Sequence, residues 1–548
     1  MLRLQALLLC IASLFSLPFG ASQVALTVDG ASDGDPISNI VSNVNVWDMG
    51  TSFYGAVNDP EYDVFEFVEY VQLMQCTGGT LQRDLFRDPT DLSVFDDYDF
   101  SRLVENCRGI LALGAKPLLK LGSVPLKYVD DPLIGGFGMN VRPPRDYNVY
   151  YDYIRALAET LVRTFGRDEV ASWRFGVMTE FENSDWFNVG DNDAAASCEA
   201  YCKLYDYTVQ ALIDAIGPDV FVGAHAMAVT EGLWDESEFI RHVAVGTNYA
   251  TGETGTRICY LSASFYDLRP GKFTTGKTLP RTVGDLRKAA EAYGLHGLLY
   301  GVDEGRIHGS ASGKDSAELY SRTVGQTWQA AYDARMWTQT VRNGIDWFSS
   351  WGYLSDCLHG YPTISYHVAN AVHKTAGERQ LDLTTTTAPL RMLTGIEVDG
   401  FASTDPGTGT THVFIYNFRN KLDYKKSANV RLKVSLPQFA GQTVTLREWV
   451  IDDDCNFFDE WQQDRKTYGI TDDCFAWSPD DPCIDNTVTL RDPDARALYE
   501  EKLREKYVKC AALSPTEQKI DVPENGTLML RRSLSASCVT FFEIEAEG

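Results

Sequence analysis

Short apolar segments alternate with amphipathic segments over the first two thirds of the chain. Between about residues 40 and 376, apolar runs with the length of buried strands are separated by stretches with a 3.6-residue hydrophobic period. The predicted strands are Val41–Trp47, Gly79–Phe86, Lys116–Val124, Trp173–Glu180, Val220–Met227, Cys259–Tyr266, Gly297–Glu304 and Gly344–Trp351. The predicted helices include Phe100–Leu113, Tyr147–Phe165, Val283–Tyr293 and Ala317–Val341. Strands alternating with helices are typical of parallel βαβ units, and eight such units predict a closed (β/α)8 TIM barrel.

An open, doubly wound α/β sheet is the alternative arrangement of the same units. That fold usually carries a glycine-rich phosphate turn directly after its first strand. No such turn follows Val41–Trp47, so the barrel is favoured.

The pattern changes after Gly377, where strand-like segments separated by turn residues replace the alternation. These segments are His412–Asn417, Val430–Leu436, Thr443–Ile451, Gly526–Arg531 and Val539–Glu545. They predict an antiparallel β-sandwich, interrupted by a cysteine-rich insertion around 455–512 with one helical stretch at Asp494–Lys509. The predicted domains are therefore a barrel at 23–380 and a sandwich at 381–548.

The N-terminus has the composition of a secretory signal peptide. A basic start is followed by an apolar run from Ala6 to Phe19 and then by small residues. An N-terminal strand is the alternative, but the run lacks regular alternation. We expect residues 1–22 to be removed, and the protein to be extracellular or in the lumen of the secretory pathway. No later stretch is apolar and long enough to span a membrane.

The cysteines and one glycosylation sequon also bear on the expectation that the protein is secreted. The chain has twelve cysteines, and eleven remain beyond Cys10, so at least one thiol has no partner within the chain. Disulfides are favoured over a zinc site in a secreted chain without a Cys-x-x-Cys pair; the expected pairs would form among Cys455, Cys474, Cys483 and Cys510. Asn525 begins an N-glycosylation sequon.

Charge and composition narrow the class of partner. The net charge of −27 disfavours nucleic acid and anionic membranes, because phosphate binding needs clustered Lys and Arg. Aromatic residues make up 12% of the chain, which is enough to supply surfaces on which sugar rings stack.

Two predicted barrel strands end in a glutamate. The fourth strand ends at Glu180 and the seventh at Glu304. Functional residues of this fold gather at the C-terminal ends of the strands, and strands four and seven face one another across the barrel mouth. A retaining glycosidase needs two carboxyl groups about 5–5.5 Å apart, one to protonate the leaving oxygen and one to attack the anomeric carbon. In a chain with 76 acidic residues such a pair can also arise by chance as surface acids.

Aromatic residues surround the first of these glutamates, which favours a sugar site. They are Trp173, Phe175, Phe181, Trp186 and Phe187. Tyr266 ends the sixth strand and could donate a hydrogen bond to the nucleophile, and Trp351 closes the eighth. Trp347 fits core packing better.

Several segments together resemble glycoside hydrolase family 39, the clan A group of β-xylosidases and α-L-iduronidases. They are Phe165-Gly166, the Trp173–Glu180 strand, Ala115–Pro125, Leu261–Tyr266 and Asp303-Glu304-Gly305. The resemblance implies a TIM barrel with a following β-domain. It also implies Glu180 as acid/base, Glu304 as nucleophile and Tyr266 as the tyrosine that holds the nucleophile.

Some residues depart from the family pattern. Thr179 stands where clan A has an asparagine that binds the sugar 2-hydroxyl, Phe181 and Glu182 replace Pro-Asn, and Ser264 replaces a histidine. Either the substrate differs at that position, Glu182 or Asn183 compensates, or activity has been lost. His225, near the end of strand five, Arg83, near the end of strand two, and His308 are further candidates for substrate contact.

The sequence thus predicts a secreted retaining glycoside hydrolase that acts on oligo- or polysaccharides and needs no cofactor or metal. Two alternatives stay open. One is a catalytically inactive relative that binds glycans, and the other is a clan A hydrolase of another sugar specificity.

Overall fold

The computed structural model describes residues 23–46, 66–227, 230–267, 271, 273–307, 326–350, 363–469 and 493–547. The predicted signal peptide lies outside these ranges, as do Trp351 and His308. No helix within these ranges is long and apolar enough to cross a membrane.

Eight parallel strands form a barrel whose strand order follows the chain. They follow β1 (Gln23–Asp29) and are β2 (Asn43–Val46), β3 (Tyr70–Leu73), β4 (Lys116–Leu121), β5 (Arg174–Val177), β6 (Phe221–Ala226), β7 (Tyr260–Asp267), β8 (Leu299–Ile307) and β9 (Trp347–Ser350). The Phe348 N–H donates to the Ile40 carbonyl oxygen (2.7 Å), which joins the last strand to the first. The predicted (β/α)8 barrel is confirmed.

Helices cover the outside of the barrel between the strands. They are α1 (Ser101–Ala112), α2 (Tyr147–Phe165), α3 (Arg167–Ala171), α4 (Ala194–Ala215), α5 (Glu236–Val245), α6 (Leu279–Ala292), α7 (Thr327–Arg342) and α8 (Ile364–His373). Local signals fix several of their ends. Asp146, Asp193 and Asp235 cap α2, α4 and α5 by accepting backbone N–H groups, and Gly166, with φ of +91°, ends α2.

The position of the second strand corrects the sequence prediction. The strand is Tyr70–Leu73, whereas Gly79–Phe86 is a loop. Gly78, just before this loop, and Gly79, its first residue, both have positive φ. A four-residue strand buried on both faces has no alternation, so its pattern is hard to distinguish from an apolar loop. Arg83 consequently lies ten residues beyond this strand rather than at its end.

The second domain is a β-sandwich built from two sheets that share β10 (Arg379–Thr385). Its other strands are β1, β11 (Glu397–Thr404), β12 (Thr411–Phe418), β13 (Ala428–Ser435), β14 (Thr443–Ile451), β15 (Thr516–Asp521), β16 (Thr527–Leu534) and β17 (Val539–Ala546). β1 pairs antiparallel with β10 and parallel with β13. The N-terminal strand therefore belongs to the sandwich and not to the barrel domain predicted to start at residue 23.

Alternate residues of the sandwich strands point to two different cores. In β12, Val413 and Ile415 pack into the sandwich interior, whereas Phe414, Tyr416 and Phe418 join the apolar cluster of the barrel. Because successive residues of a strand point to opposite faces, one face of the sandwich strands packs against α7 and α8 of the barrel domain.

The insertion after β14 has a small apolar cluster of its own. One further helix, α9 (Thr387–Thr394), lies earlier, between β10 and β11. The helices of the insertion are α10 (Phe458–Tyr468), α11 (Pro493–Leu498) and α12 (Arg504–Cys510), and a π-helical turn, Tyr499–Leu503, joins the last two. Cys455 and Cys510 carry free thiols, so they do not pair with one another. Cys474 and Cys483 lie outside the described residues, and Asn525 is exposed.

Candidate functional site

Glu180 lies just beyond the end of β5 in a constrained turn. Met178 and Glu180 both have left-handed backbone conformations, with φ of +66° and +45°. Non-glycine residues adopt this region at a cost of about 1 kcal/mol or more and are enriched at functional sites. The Met178 N–H donates to the Leu121 carbonyl (2.6 Å) and the Phe181 N–H to the His225 carbonyl (3.0 Å). The turn is therefore held by the neighbouring strands β4 and β6.

The Glu180 carboxyl group is almost fully buried, which raises its pKa above the ordinary value. Hydrogen bonds that Ser264, Asn183 and Trp186 can donate to the ionised carboxylate oppose this rise in pKa, and the negative charge of Asp185 adds to it. The Asn183 amide donates to Glu180 Oε2 at 2.7 Å. A buried carboxyl group with a raised pKa is suited to act as a general acid near neutral pH.

Glu304 reaches the barrel interior through a shift of register in β8. Ala263 pairs with Val302 but Ser264 pairs with Glu304, so Asp303 has no partner in the register of β7. Successive residues of a regular strand point to opposite faces. The shift instead lets the adjacent carboxylates of Asp303 and Glu304 both contact interior groups.

Ser264 brings the two glutamates together. Its hydroxyl lies 3.5 Å from Glu304 Oε2 and can also donate to the ionised Glu180 carboxylate, whose pKa it lowers. Both carboxyl groups therefore face one hydroxyl group in the barrel interior, which is compatible with the close pair of carboxyl groups in a retaining glycosidase.

A buried ion pair lies beneath these groups. Lys120 of β4 pairs with Asp303 of β8 across the barrel interior, and the Trp347 indole donates to Asp303 Oδ1 at 2.8 Å. Burial opposes the ionisation of Asp303, but the Lys120 charge and the hydrogen bonds from Lys120 and Ser262 together outweigh it and lower the pKa of Asp303. Gly176 and Gly301 make room for this cluster, because a Cβ there would lie 2.9 Å from Lys120 Cδ and 1.9 Å from the Trp347 ring.

His225 adjoins the same group of residues. It is fully buried in β6, and its Nε2 lies 2.9 Å from the Ser264 hydroxyl. Burial, reinforced by the Lys120 charge, lowers its pKa well below the ordinary value, so the imidazole is neutral.

The other predicted substrate-binding residues are placed differently. Tyr266 lies two residues beyond Ser264 on the same side of β7 and is half-buried. Thr179 is fully buried, and its hydroxyl has no hydrogen-bond partner among the described residues. Glu182 is also fully buried, and its Oε1 accepts the Met227 N–H (2.7 Å), which fastens the loop after β6.

Arg83 lines a small cavity with Cys76, Leu103 and Asn106, beside β3 and α1. This corrects its predicted position at the end of the second strand. His308 and Trp351 lie outside the described residues, so their predicted roles stay predictions.

Sequence reasoning did not select Ser264, Lys120 or Asp303 as site residues. Charged residues inside otherwise apolar strands were the available signal for Lys120 and Asp303, because lysine and aspartate are almost never fully buried without a partner. Buried serines are common in strands, so the only signal for Ser264 was its place at a histidine of the family pattern.

An aromatic pair extends the site beside Glu180. Trp186 is buried next to the Glu180 carboxyl, and Phe137 stacks on it with ring centroids 4.4 Å apart and planes 6° from parallel. Phe137 is only partly buried. The pair therefore places two stacked aromatic rings beside the expected acid.

Comparisons with known proteins found a matching family model and several relatives. The family model described as "Glycosyl hydrolases family 39" matches residues 78–394. A β-xylosidase of Caldicellulosiruptor saccharolyticus is 24% identical over 343 residues, which cover 58% of this chain and 63% of the relative. The chain therefore aligns with less than two thirds of that relative's length.

Two solved structures share the fold. A GH39 enzyme from Xanthomonas axonopodis pv. citri superposes with a TM-score of 0.64 at 15% identity, covering 97% of this chain and 100% of that one. A monomeric β-xylosidase from Caulobacter crescentus CB15 superposes with a TM-score of 0.63 at 17% identity, covering 96% and 100%. At these identities the likeness shows the barrel and sandwich alone.

Proposed function

Because this chain belongs to family 39 of the glycosyl hydrolases, we propose that it hydrolyses glycosidic bonds by double displacement, with Glu180 as acid/base and Glu304 as nucleophile. The observation that carries the proposal is the meeting of both carboxyl groups at the Ser264 hydroxyl. Two carboxyl groups this close can act on the leaving oxygen and on the anomeric carbon of one bound sugar.

In the first step, the Glu304 carboxylate attacks the anomeric carbon while Glu180 gives its proton to the departing oxygen. The raised pKa of Glu180 keeps that proton in place until the bond breaks. In the second step, Glu180, now a carboxylate, takes a proton from water, and the water oxygen displaces Glu304. The sugar leaves with its original anomeric configuration.

The proposed substrate is a β-xyloside. The support is the β-xylosidase relative, at 24% identity, and the aromatic face of Phe137 and Trp186 beside Glu180. We also propose that the protein is secreted, which rests on the composition of residues 1–22. Analysis of the N-terminus of protein collected from the medium tests the latter.

The first experiment measures hydrolysis of a panel of nitrophenyl glycosides and unmodified oligosaccharides by the wild type, Glu180→Gln and Glu304→Gln. Loss of the acid should lower kcat/KM on xylobiose by about 10²–10⁴-fold, and less on nitrophenyl β-xyloside, whose leaving group needs little protonation. Loss of the nucleophile should abolish turnover of both. Proton NMR of the reaction should show β-xylose as the first product.

Asp267→Asn is the matched control. Asp267 is also a buried carboxylate near the end of a barrel strand, but it binds the Tyr332 hydroxyl (2.8 Å) and the Thr274 N–H (2.7 Å) rather than the Ser264 group. Turnover that survives Glu180→Gln or Glu304→Gln on every substrate would overturn the assignment of that residue. A wild type that binds glycans and hydrolyses none would support an inactive glycan-binding protein.

A further inference from the structure

The Ser264 hydroxyl contacts one glutamate of the site and an imidazole, and it can donate to the second glutamate. It is fully buried, 3.5 Å from Glu304 Oε2 and 2.9 Å from His225 Nε2, and its hydrogen bond to the ionised Glu180 carboxylate lowers the pKa of that group. A hydroxyl has one proton to donate and two lone pairs. It can therefore serve only one of the two carboxyl groups at a time.

The surroundings of His225 decide where the Ser264 proton goes. The imidazole is neutral, and its Nδ1 has no hydrogen-bond partner among the described residues. A buried N–H without an acceptor is rarer in proteins than a buried lone pair without a donor. The proton of the ring is therefore favoured on Nε2, from which it donates to Ser264 Oγ. This leaves the Ser264 proton free for a carboxylate.

We propose that Ser264 is a positioning residue whose hydroxyl turns between the two glutamates and donates to whichever one is ionised. This rests on the proposed function of the pair. In the free enzyme the hydroxyl donates to the Glu304 carboxylate. In the glycosyl-enzyme it donates to Glu180.

The charges in the two steps require such a change. When Glu304 bonds to the anomeric carbon it becomes a neutral ester, and Glu180 becomes a carboxylate by giving its proton to the leaving oxygen. The negative charge thus moves from one side of Ser264 to the other, while Ser264 keeps its own proton throughout. The second step returns the bonding electrons to Glu304 and a proton from water to Glu180, and the hydroxyl turns back.

Removal of the hydroxyl has a defined effect on pH dependence. A carboxylate that loses a donor has a higher pKa, because the donor stabilises the charged form. In Ser264→Ala the acid limb of kcat/KM, set by Glu304 in the free enzyme, should move up by about half to one pH unit, a shift expected for one long hydrogen bond. The acid limb of kcat should rise similarly under conditions where hydrolysis of the glycosyl-enzyme limits the rate.

The experiment compares pH profiles of the wild type, Ser264→Ala and Ser264→Thr on dinitrophenyl β-xyloside. Threonine keeps the hydroxyl, so its acid limbs should stay within about 0.3 of a pH unit of the wild type. The matched control is Thr340→Val, which removes a buried hydroxyl bonded only to the helix carbonyl of Met336 (3.0 Å) in α7. Its limbs should not move.

Acid limbs that stay in place in Ser264→Ala would overturn the proposal, as would equal shifts in the alanine and threonine variants, which would indicate packing. Should the alanine variant fail to fold, Ser264→Cys provides a weaker donor in its place and should give a smaller shift in the same direction.

A second measurement separates this proposal from the proposed function. Carbon-13 NMR titration of labelled glutamate carboxyl groups, assigned with Glu304→Gln, does not need turnover. A higher pKa of Glu304 in Ser264→Ala supports the contact even if the wild type hydrolyses nothing, in which case only the proposed function fails. An unchanged Glu304 pKa overturns the role of Ser264 whatever the activity.

Discussion

A single side chain, Asn183, influences the charge state of Glu180 through a hydrogen bond. Its amide donates to Glu180 Oε2 at 2.7 Å, and its own carbonyl oxygen accepts the Asp185 N–H (3.0 Å), so the amide orientation is fixed by the turn. The amide stabilises the ionised form of Glu180 and opposes the rise in pKa that burial causes. Asn183 is thus one of the groups that limit the rise in the pKa of the expected acid.

Replacing this donor by a carboxylate should extend activity toward high pH. In Asn183→Asp the new negative charge beside Glu180 disfavours ionisation, so the pKa of Glu180 rises further. Because Glu180 acts as an acid only while it is protonated, the alkaline limb of kcat/KM should move up by about one pH unit. The measurement is kcat/KM on xylobiose between pH 4 and 10.

Asn188→Asp makes the same chemical change in the same loop. Asn188 contacts Arg142 Nη1 (2.6 Å) and the Ser184 carbonyl, so a carboxylate there has a cation as its partner. Its alkaline limb should remain at the wild-type position. If Asn183→Asp moved that limb downward, Glu180 would not be the acid.

The strand β8 illustrates which features of the candidate site could be predicted from the sequence. Glu180 and Glu304 could be selected because the sequence predicts that each ends a mostly apolar strand, and strand ends of a barrel converge. In the structure Glu304 lies inside β8, three residues before its end. Asp303 and Glu304 both reach interior groups because β8 shifts register against β7. The regular alternation of side chains along a strand does not predict such a shift. The contacts of Asp303 with Lys120 and of Glu304 with Ser264 depend on that shift and so could not be derived from spacing.

The barrel tolerates Lys120 in its interior only because Asp303 compensates its charge. Lys120→Met should lower the free energy of unfolding by about 3–5 kcal/mol, since it leaves the Asp303 carboxylate buried without its cation. The double variant Lys120→Met/Asp303→Asn should recover much of this loss, because no uncompensated charge remains. Denaturant unfolding followed by circular dichroism measures all three differences.

An exposed ion pair provides the comparison for this prediction. Arg155 and Glu159 lie 2.8 Å apart on the surface of α2. Arg155→Met should change the free energy of unfolding by less than about 1 kcal/mol. A loss equally small in Lys120→Met would mean that Asp303 is neutral in the folded protein.

The whole molecule depends on contacts that link distant parts of the chain. The barrel and sandwich classes could be predicted because their hydrophobic periods differ, 3.6 with buried runs in the first and two in the second. The place of β1 could not, because its pairing with β10 and β13 joins residues about 350 to 400 positions apart. Local patterns carry no information on such partners.

A charged network lies where the barrel meets the sandwich. Glu378 precedes β10, and both of its carboxylate oxygens lie 2.9 Å from His412 Nδ1 of β12. His412 Nε2 lies 3.2 Å from Glu543 of β17, which in turn binds Arg447 (2.7 Å). Burial disfavours the charged form of His412, but the two carboxylates outweigh it and raise its pKa. The same contacts lower the pKa of Glu543 to about 2.

These shifts predict a window of pH in which the network stabilises the molecule. A raised pKa of His412 contributes stability fully below its unfolded value of about 6.5, and this stability is lost as pH rises through the folded value. The lowered pKa of Glu543 contributes stability above its unfolded value of about 4.3, and that stability is lost as pH falls toward 2.

His412→Gln should therefore differ most from the wild type in unfolding temperature between about pH 4.3 and 6.5, and the difference should shrink on either side. Phe541→Leu, which removes only the ring stacked on His412 at 5.1 Å, should lower the unfolding temperature by the same amount at every pH. A difference between His412→Gln and the wild type that stays constant from pH 3 to 9 would show that His412 does not stabilise the molecule through its charge.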